Sequence, residues 1–113
     1  MRNLEKKLHD LTKELQISIP VFFGKMDDVS PGRNAESEEI DDEGYIIYLR
    51  SNRTTVEHAQ DICFELLHCK FRKLEKTMEK MCQKYGIPTS AIEDKWQDIL
   101  EIISQGIVSF FEE

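Results

Sequence analysis

The sequence has no uninterrupted apolar run approaching the roughly 20 residues of a membrane-spanning helix, so no transmembrane segment is predicted. Residues 1–7 are charged and amphipathic, and no signal peptide is expected. The five glycines are scattered, and none belongs to a G-x-x-x-x-G-K-[ST] phosphate-binding loop. These absences argue against a membrane protein and against a P-loop nucleotide-binding protein.

Cysteine is also scarce. The three cysteines, Cys63, Cys69 and Cys82, form no C-x-x-C pair and fall in predicted helices. An odd number of helical cysteines is typical of reduced thiols, which predicts a cytoplasmic protein without a disulfide framework. No cysteine or serine has a persuasive arrangement of His and Asn around it, so no nucleophilic catalytic centre is predicted.

Positive charge is in deficit, because 15 Lys and Arg against 22 Asp and Glu give a net charge of −7. This balance disfavours direct binding to nucleic acid or to an anionic membrane, and it suits a basic protein partner or a mimic of DNA. The densest acidic run is a candidate partner surface, with the residues Glu36, Glu38, Glu39, Asp41, Asp42 and Glu43. Its spacing does not match an EF-hand loop, and a solvated, mobile loop is the simpler interpretation.

The remaining patterns predict one α+β domain over 1–113, mainly helical, with a short two- to three-stranded sheet packed on a long central helix. The predicted elements are a helix over about 2–15, a strand over about 17–23, an acidic loop over 25–43, a strand over 45–49, and helices over about 55–85 and 90–111. The helix over 55–85 is long for a small domain, so a break near 70–76 is one alternative. The apolar stripe of the last helix predicts packing on the central helix, with any surplus forming a homodimer contact.

The central helix carries the most informative residues. Thr54 and Glu57 form a capping box, which predicts its first turn. At about 100° per residue, four polar residues share one face: His58, Asp61, Glu65 and His68. The segment Phe64-Glu65-Leu66-Leu67-His68 differs by one residue from H-E-x-x-H, in which two histidines bind zinc and the glutamate activates its water.

The order of elements and this motif resemble the ImmA/IrrE type of zinc-peptidase-like domains, with a zincin-like fold. The resemblance places Phe64 at the first ligand position, where a phenyl ring cannot bind metal. It implies Glu65 as the general base, His68 as the second ligand and Asp98 as the third. In the family, apolar residues follow the third ligand at fixed spacings, and here Asp98 is followed by Ile99, Ile102, Ile103, Gly106 and Ile107.

With one ligand lost, the resemblance implies an inactive pseudo-metallopeptidase that serves as a protein-binding or regulatory module, of the kind found in phages or mobile elements. Its expected partner is a transcriptional regulator or another basic protein, and no cofactor is expected. A zinc peptidase with a substituted ligand is one alternative, since catalytic zinc normally has three protein ligands. An acidic inhibitor or DNA mimic is the other.

Overall fold

The computed structural model describes residues 3–41 and 43–111, and within them four helices pack with a three-stranded sheet. In chain order the elements are α1 (Leu4–Glu14), β1 (Val21–Phe23), β2 (Ala35–Ile40), β3 (Gly44–Leu49), α2 (Thr55–Lys70), α3 (Arg72–Tyr85) and α4 (Ser90–Phe111). The predicted α+β architecture, mainly helical with a short sheet, is confirmed. Residues 1 and 2, which the first helix was expected to reach, lie outside the described residues.

Strand β3 is the centre of the sheet, in the order β1-β3-β2. It pairs in parallel with β1, where Val21 is opposite Tyr45, and antiparallel with β2, where Ala35 is opposite Leu49. Its aromatic and β-branched residues suit a half-buried pleated surface, and Ile47 is fully buried. Strand β2 is therefore an edge strand in the described part of the chain.

The prediction of an acidic loop over 25–43 is wrong for Ala35–Ile40, which forms β2. The segment Ala-Glu-Ser-Glu-Glu-Ile has few strand-forming residues, so its own sequence predicts no strand. Its carboxylates find partners only in the folded chain: the Tyr48 hydroxyl donates to Glu38 at 2.9 Å, and Glu39 lies 3.3 Å from the Lys76 ammonium. Pairing with β3 and these contacts override the local preference.

The capping box of the central helix is present: Thr54 Oγ1 accepts from the Glu57 amide at 3.1 Å, and Glu57 Oε1 accepts from the Thr54 amide at 3.0 Å. The helix predicted over 55–85 is broken at Phe71, so α2 and α3 are separate helices. The Phe71 ring packs edge-on against Trp96 of α4, with centroids 5.8 Å apart. This contact accompanies the break.

Helix α2 lies at the centre of the hydrophobic core, between the sheet, α1 and α4. Ile62 and Leu66 are fully buried on α2, as is Leu100 on α4. The leucine stripe of α1 joins the same core, because Leu8 and Leu11 are buried. The central helix is thus held from several sides, and its polar face is fixed relative to the sheet.

The outward face of α4 is apolar and exposed, with the residues Ile99, Ile102, Ile103 and Phe110. The homodimer predicted through this helix stays a prediction, which the mass of the protein in solution would test. Among the helices of the described residues, none has both the length and the apolar character needed to cross a membrane.

Candidate functional site

A groove of about 430 Å³ lies between β2, α2 and α4. Phe64, Glu65 and His68 of α2 line it, so the fold brings the three informative positions of the degenerate motif to one concave surface. They share this surface because positions i, i+1 and i+4 of a helix can border a single cleft. Ser37 of β2 and Glu101 of α4 line the facing walls.

Glu65 is the buried carboxylate of this groove, with only 6% of the residue exposed. Its burial raises the pKa of the carboxyl above the ordinary value of 4.5. The charge of His68, the Ser37 hydroxyl and the charge of Arg33 oppose that shift in the pKa without cancelling it. A proton is therefore held more tightly at Glu65 in the folded protein than in the unfolded chain.

His68 is anchored by a residue that the sequence did not single out. Its Nδ1 lies 2.8 Å from Glu75 Oε2, and the same oxygen accepts a hydrogen bond from Trp96 Nε1 at 2.7 Å. Because a carboxylate oxygen only accepts, Nδ1 is the donor, which leaves Nε2 as the other ring nitrogen. The Phe64 ring packs edge-on against the imidazole at 4.7 Å between centroids. Glu75 thus ties α2, α3 and α4 together through one oxygen atom.

Asp98 is not brought to this site: it is exposed on α4 and does not line the groove. The α4 side chains that do line it include Gln97 and Glu101, one helical turn apart. The buried α4 residues are Leu100, Ser104 and Val108, whereas Ile99, Ile102 and Ile103, which follow Asp98, are exposed. Glu101, and not Asp98, is the α4 carboxylate that lines the groove.

The side chains of the groove do not fit a catalytic zinc site. Phe64 has no lone pair to offer, and in the described part of the chain no three His, Cys, Asp or Glu side chains converge to hold a metal ion. Catalytic zinc takes three protein ligands and a water. No step through a metal follows from this geometry.

Asp61 and His58, on the same polar face of α2, have structural partners. Asp61 forms a bidentate pair with Arg53, at 2.9 and 3.1 Å, and Arg53 also reaches Glu57 at 3.0 Å. His58 is buried, and its Nε2 contacts the carbonyl oxygen of Arg50. Sequence reasoning missed Arg53, although its spacing of four and eight residues from two acids was a usable signal.

The acidic run splits into engaged and exposed residues. Glu36 accepts from the Ser30 amide at 2.8 Å, and the Ser30 side chain together with this amide lowers the pKa of Glu36. Glu38 and Glu39 have the partners described above. Asp41 and Glu43 border the β2–β3 turn and are exposed, and Asp42 lies outside the described residues. Three of these carboxylates thus have hydrogen-bond or ion-pair partners within the chain. Fewer carboxylates remain to take the place of DNA phosphates in a DNA mimic.

The cysteines near the groove are unsuited to nucleophilic chemistry. All three are free and buried. Burial raises the pKa of the Cys63 and Cys69 thiols to about 12, so both stay protonated near neutral pH.

The raised pKa of Glu65 gives a stability prediction. Between pH 4.5 and the raised pKa of the folded state, the folded protein binds more protons at Glu65 than the unfolded chain does, so the free energy of unfolding falls as the pH rises through this window. Glu65→Gln removes that loss, and we expect the variant to be more stable than the wild type at pH 7 by roughly 1–2 kcal/mol, of the order of a buried group's desolvation cost. Urea denaturation at pH 4, 5, 6 and 7 measures it. A difference that shrinks with rising pH would contradict the assignment.

Comparisons of this chain with models of protein families, with curated proteins and with solved structures found no match. The resemblance to zinc-peptidase-like domains therefore stays an expectation drawn from one motif and the order of elements. What the groove can do follows from its own side chains and from the strand that borders it.

Proposed function

We propose that this chain is a non-catalytic protein-binding module, a pseudo-metallopeptidase whose groove receives an extended segment of a partner protein. The observation that carries the proposal is the juxtaposition of the edge strand β2 with the buried Glu65 in one open groove. Function belongs to such sites rather than to the fold alone.

The edge of β2 offers a way to bind an extended peptide. On one side β2 pairs with β3, and in the described residues no strand pairs with its other side. An extended segment can add to such an edge through main-chain hydrogen bonds, while pockets for alternate side chains supply specificity. Asn34, Ala35 and Ser37 lie along the groove, so an added strand would place its side chains above Glu65 and His68.

Loss of the metal centre separates binding from cleavage. Without a ligand at Phe64, His68 is the one histidine among the residues that line the groove. A zinc peptidase with a substituted ligand would need a third donor, and the carboxylate on the α4 wall is Glu101 rather than Asp98. Purified protein is accordingly expected to hold far less than one zinc ion per chain, and stoichiometric zinc that disappears in His68→Ala would overturn the non-catalytic proposal.

The cellular location of the protein and the kind of partner that it binds are also part of the proposal. A cytoplasmic location fits three buried free thiols, and a basic partner, such as a transcriptional regulator in a phage or mobile element, fits the net charge of −7. Both rest on the sequence patterns and on the resemblance.

Selection of random peptides on the full chain tests the groove. Gln97 is exposed on the α4 wall, so Gln97→Trp should fill the groove without disturbing the core. We expect selected peptides to bind Gln97→Trp at least about tenfold more weakly than the wild type, the size of a steric loss of about 1.4 kcal/mol. Titration calorimetry or fluorescence anisotropy measures the affinities.

The matched control is Gln83→Trp, because Gln83 is exposed on α3 and does not line the groove. It should leave the affinities unchanged. Peptides that bind both tryptophan variants as tightly as the wild type would show that they dock elsewhere. A selection that enriches no peptide would refute the proposed peptide-binding groove.

A further inference from the structure

The carboxylate of Glu65 has unused capacity to accept hydrogen bonds. A carboxylate offers about four lone-pair positions, and in the described residues the hydrogen-bonding neighbour of Glu65 is the Ser37 hydroxyl. Although only 6% of Glu65 is exposed, it lines the open groove. A donor that enters the groove can therefore add hydrogen bonds to this carboxylate.

Two arginines of the groove lining have charged or aromatic neighbours other than Glu65, although the buried Nε of Arg72 makes no hydrogen bond in the described part of the chain. Arg53 is bonded to Asp61 and Glu57. The Arg72 guanidinium lies 5.9 Å from the centre of the Tyr45 ring and 3.6 Å from Glu39. The ion pairs of the described residues do not include Glu65. The charges of His68 and, more weakly, Arg33 act on its carboxylate without forming such a pair.

Arg33 is the remaining cation on the groove lining. Its side chain is 66% exposed, and it lies 4.0 Å from Glu36. Arg33 lowers the pKa of Glu65 less than His68 and Ser37 do. A solvated guanidinium of this kind leaves the buried carboxylate open to a closer, desolvated donor.

The surroundings of Glu65 suit a long cationic side chain. The Phe64 ring lines the groove next to it and offers an apolar surface for the methylene stem of a lysine or arginine. Two further carboxylates belong to the lining: Glu101 on α4, and Asp61, which is paired with Arg53. A guanidinium or ammonium donor adds the Coulomb attraction between opposite charges to its hydrogen bond with the carboxylate, which favours a cation over a neutral amide or hydroxyl donor.

We propose that the groove recognises a lysine or arginine of the bound segment, with its cationic head held by Glu65 and its stem lying along Phe64. This inference rests on the proposed peptide-binding groove. It assigns Glu65 a recognition role in place of the general-base role that the resemblance implies.

The test uses the peptides selected on the wild-type chain. We expect one position to be enriched in lysine or arginine, and replacement of that residue by norleucine to weaken binding to the wild type at least about tenfold, as for loss of a desolvated charge pair. Glu65→Gln should bind the basic peptide at least about tenfold more weakly, and should bind the basic and norleucine peptides nearly alike. Glu14→Gln, an exposed residue at the end of α1, is the charge-matched control and should behave as the wild type.

The outcomes separate this inference from the function beneath it. Peptides that Gln97→Trp excludes, but that carry no enriched basic position or tolerate Glu65→Gln, would overturn the basic-residue inference and leave the groove standing. Enrichment of an asparagine, glutamine, serine or threonine instead would overturn it as well. If no peptide is enriched, both proposals fail. The norleucine comparison needs no protein variant, so the inference stays testable even if Glu65→Gln changes the fold.

Discussion

Leu66→Ala is expected to lower the free energy of unfolding by about 3–4 kcal/mol, a large share of the roughly 5–15 kcal/mol of a small domain. Leu66 is fully buried on α2, in the core that α2 shares with the sheet, α1 and α4. Truncation removes its transfer free energy and leaves a cavity that neighbours held on several sides cannot fill. Urea denaturation, read as the change in midpoint at constant slope, measures the effect.

Leu74→Ala provides the comparison, since Leu74 is 47% exposed on α3. The same chemical change at this site is expected to cost less than about 1 kcal/mol, because little apolar surface and no enclosed cavity are involved. Equal losses for the two variants would mean that α2 does not occupy the centre of the core. The positions of Glu65 and His68 would then have to be reconsidered, since the packing of α2 sets them.

Phe64→His restores the H-E-x-x-H motif and is expected to raise the zinc affinity of the protein by about 100-fold. Another polar residue at this position, as in Phe64→Gln, would leave the motif incomplete. Structural zinc sites with four ligands gain roughly 10–16 kcal/mol, so one added ligand is worth about 3 kcal/mol. His68 is prepared for this role, because Nδ1 is tied to Glu75 and Nε2 remains as the second nitrogen. Such outer carboxylates orient the histidines of zinc sites. Competition titration with a zinc indicator measures the affinity.

Two control experiments identify the side chains that bind zinc in the Phe64→His variant. Phe64→His combined with His68→Ala should lose the gain, since both histidines are needed for chelation. In the Phe64→His background, Glu101→Gln should weaken zinc more than Asp98→Asn, because Glu101 lines the groove and Asp98 does not. A larger effect of Asp98→Asn would favour the ligand set implied by the resemblance. No gain in zinc affinity from Phe64→His would mean that the likeness to zinc peptidases stops at the sequence motif.

The cost of keeping Glu65 in the groove bears on the proposed function. A buried carboxylate that forms no ion pair within the described residues is a poor choice for stability alone, and glutamine would fill the same space without the charge. Natural proteins depart from the most stable choice chiefly at functional sites. The expected gain in stability of Glu65→Gln, together with an expected loss of binding to a basic peptide, is the trade-off that a recognition role predicts.

The elements that local chemistry specifies could be predicted from the sequence. Thr54 and Glu57 satisfy each other's amides within one turn, so the start of α2 follows from four residues. Gly86 ends α3 in the left-handed conformation that a residue without a Cβ adopts easily. The apolar run Tyr45–Leu49 forms the central strand, because its side chains suit a pleated, buried surface. These interactions act over a few residues and leave a pattern in the chain.

The groove itself was decided by the tertiary structure. Strand β2 forms because its backbone pairs with β3 and its carboxylates pair with cations that are distant in the sequence. No local pattern of Ala35–Ile40 indicates these contacts. Helix α4 presents Glu101 rather than Asp98 to the groove while Leu100 and Val108 are buried in the core, and which face of α4 is buried is settled by its packing in the folded chain. The sequence by itself thus determined the start of α2, the end of α3, the central strand and the altered motif, whereas the break at Phe71 divided the predicted helix over 55–85. The edge strand and the opposite wall depend on long-range packing, whose energy is not encoded in any single segment.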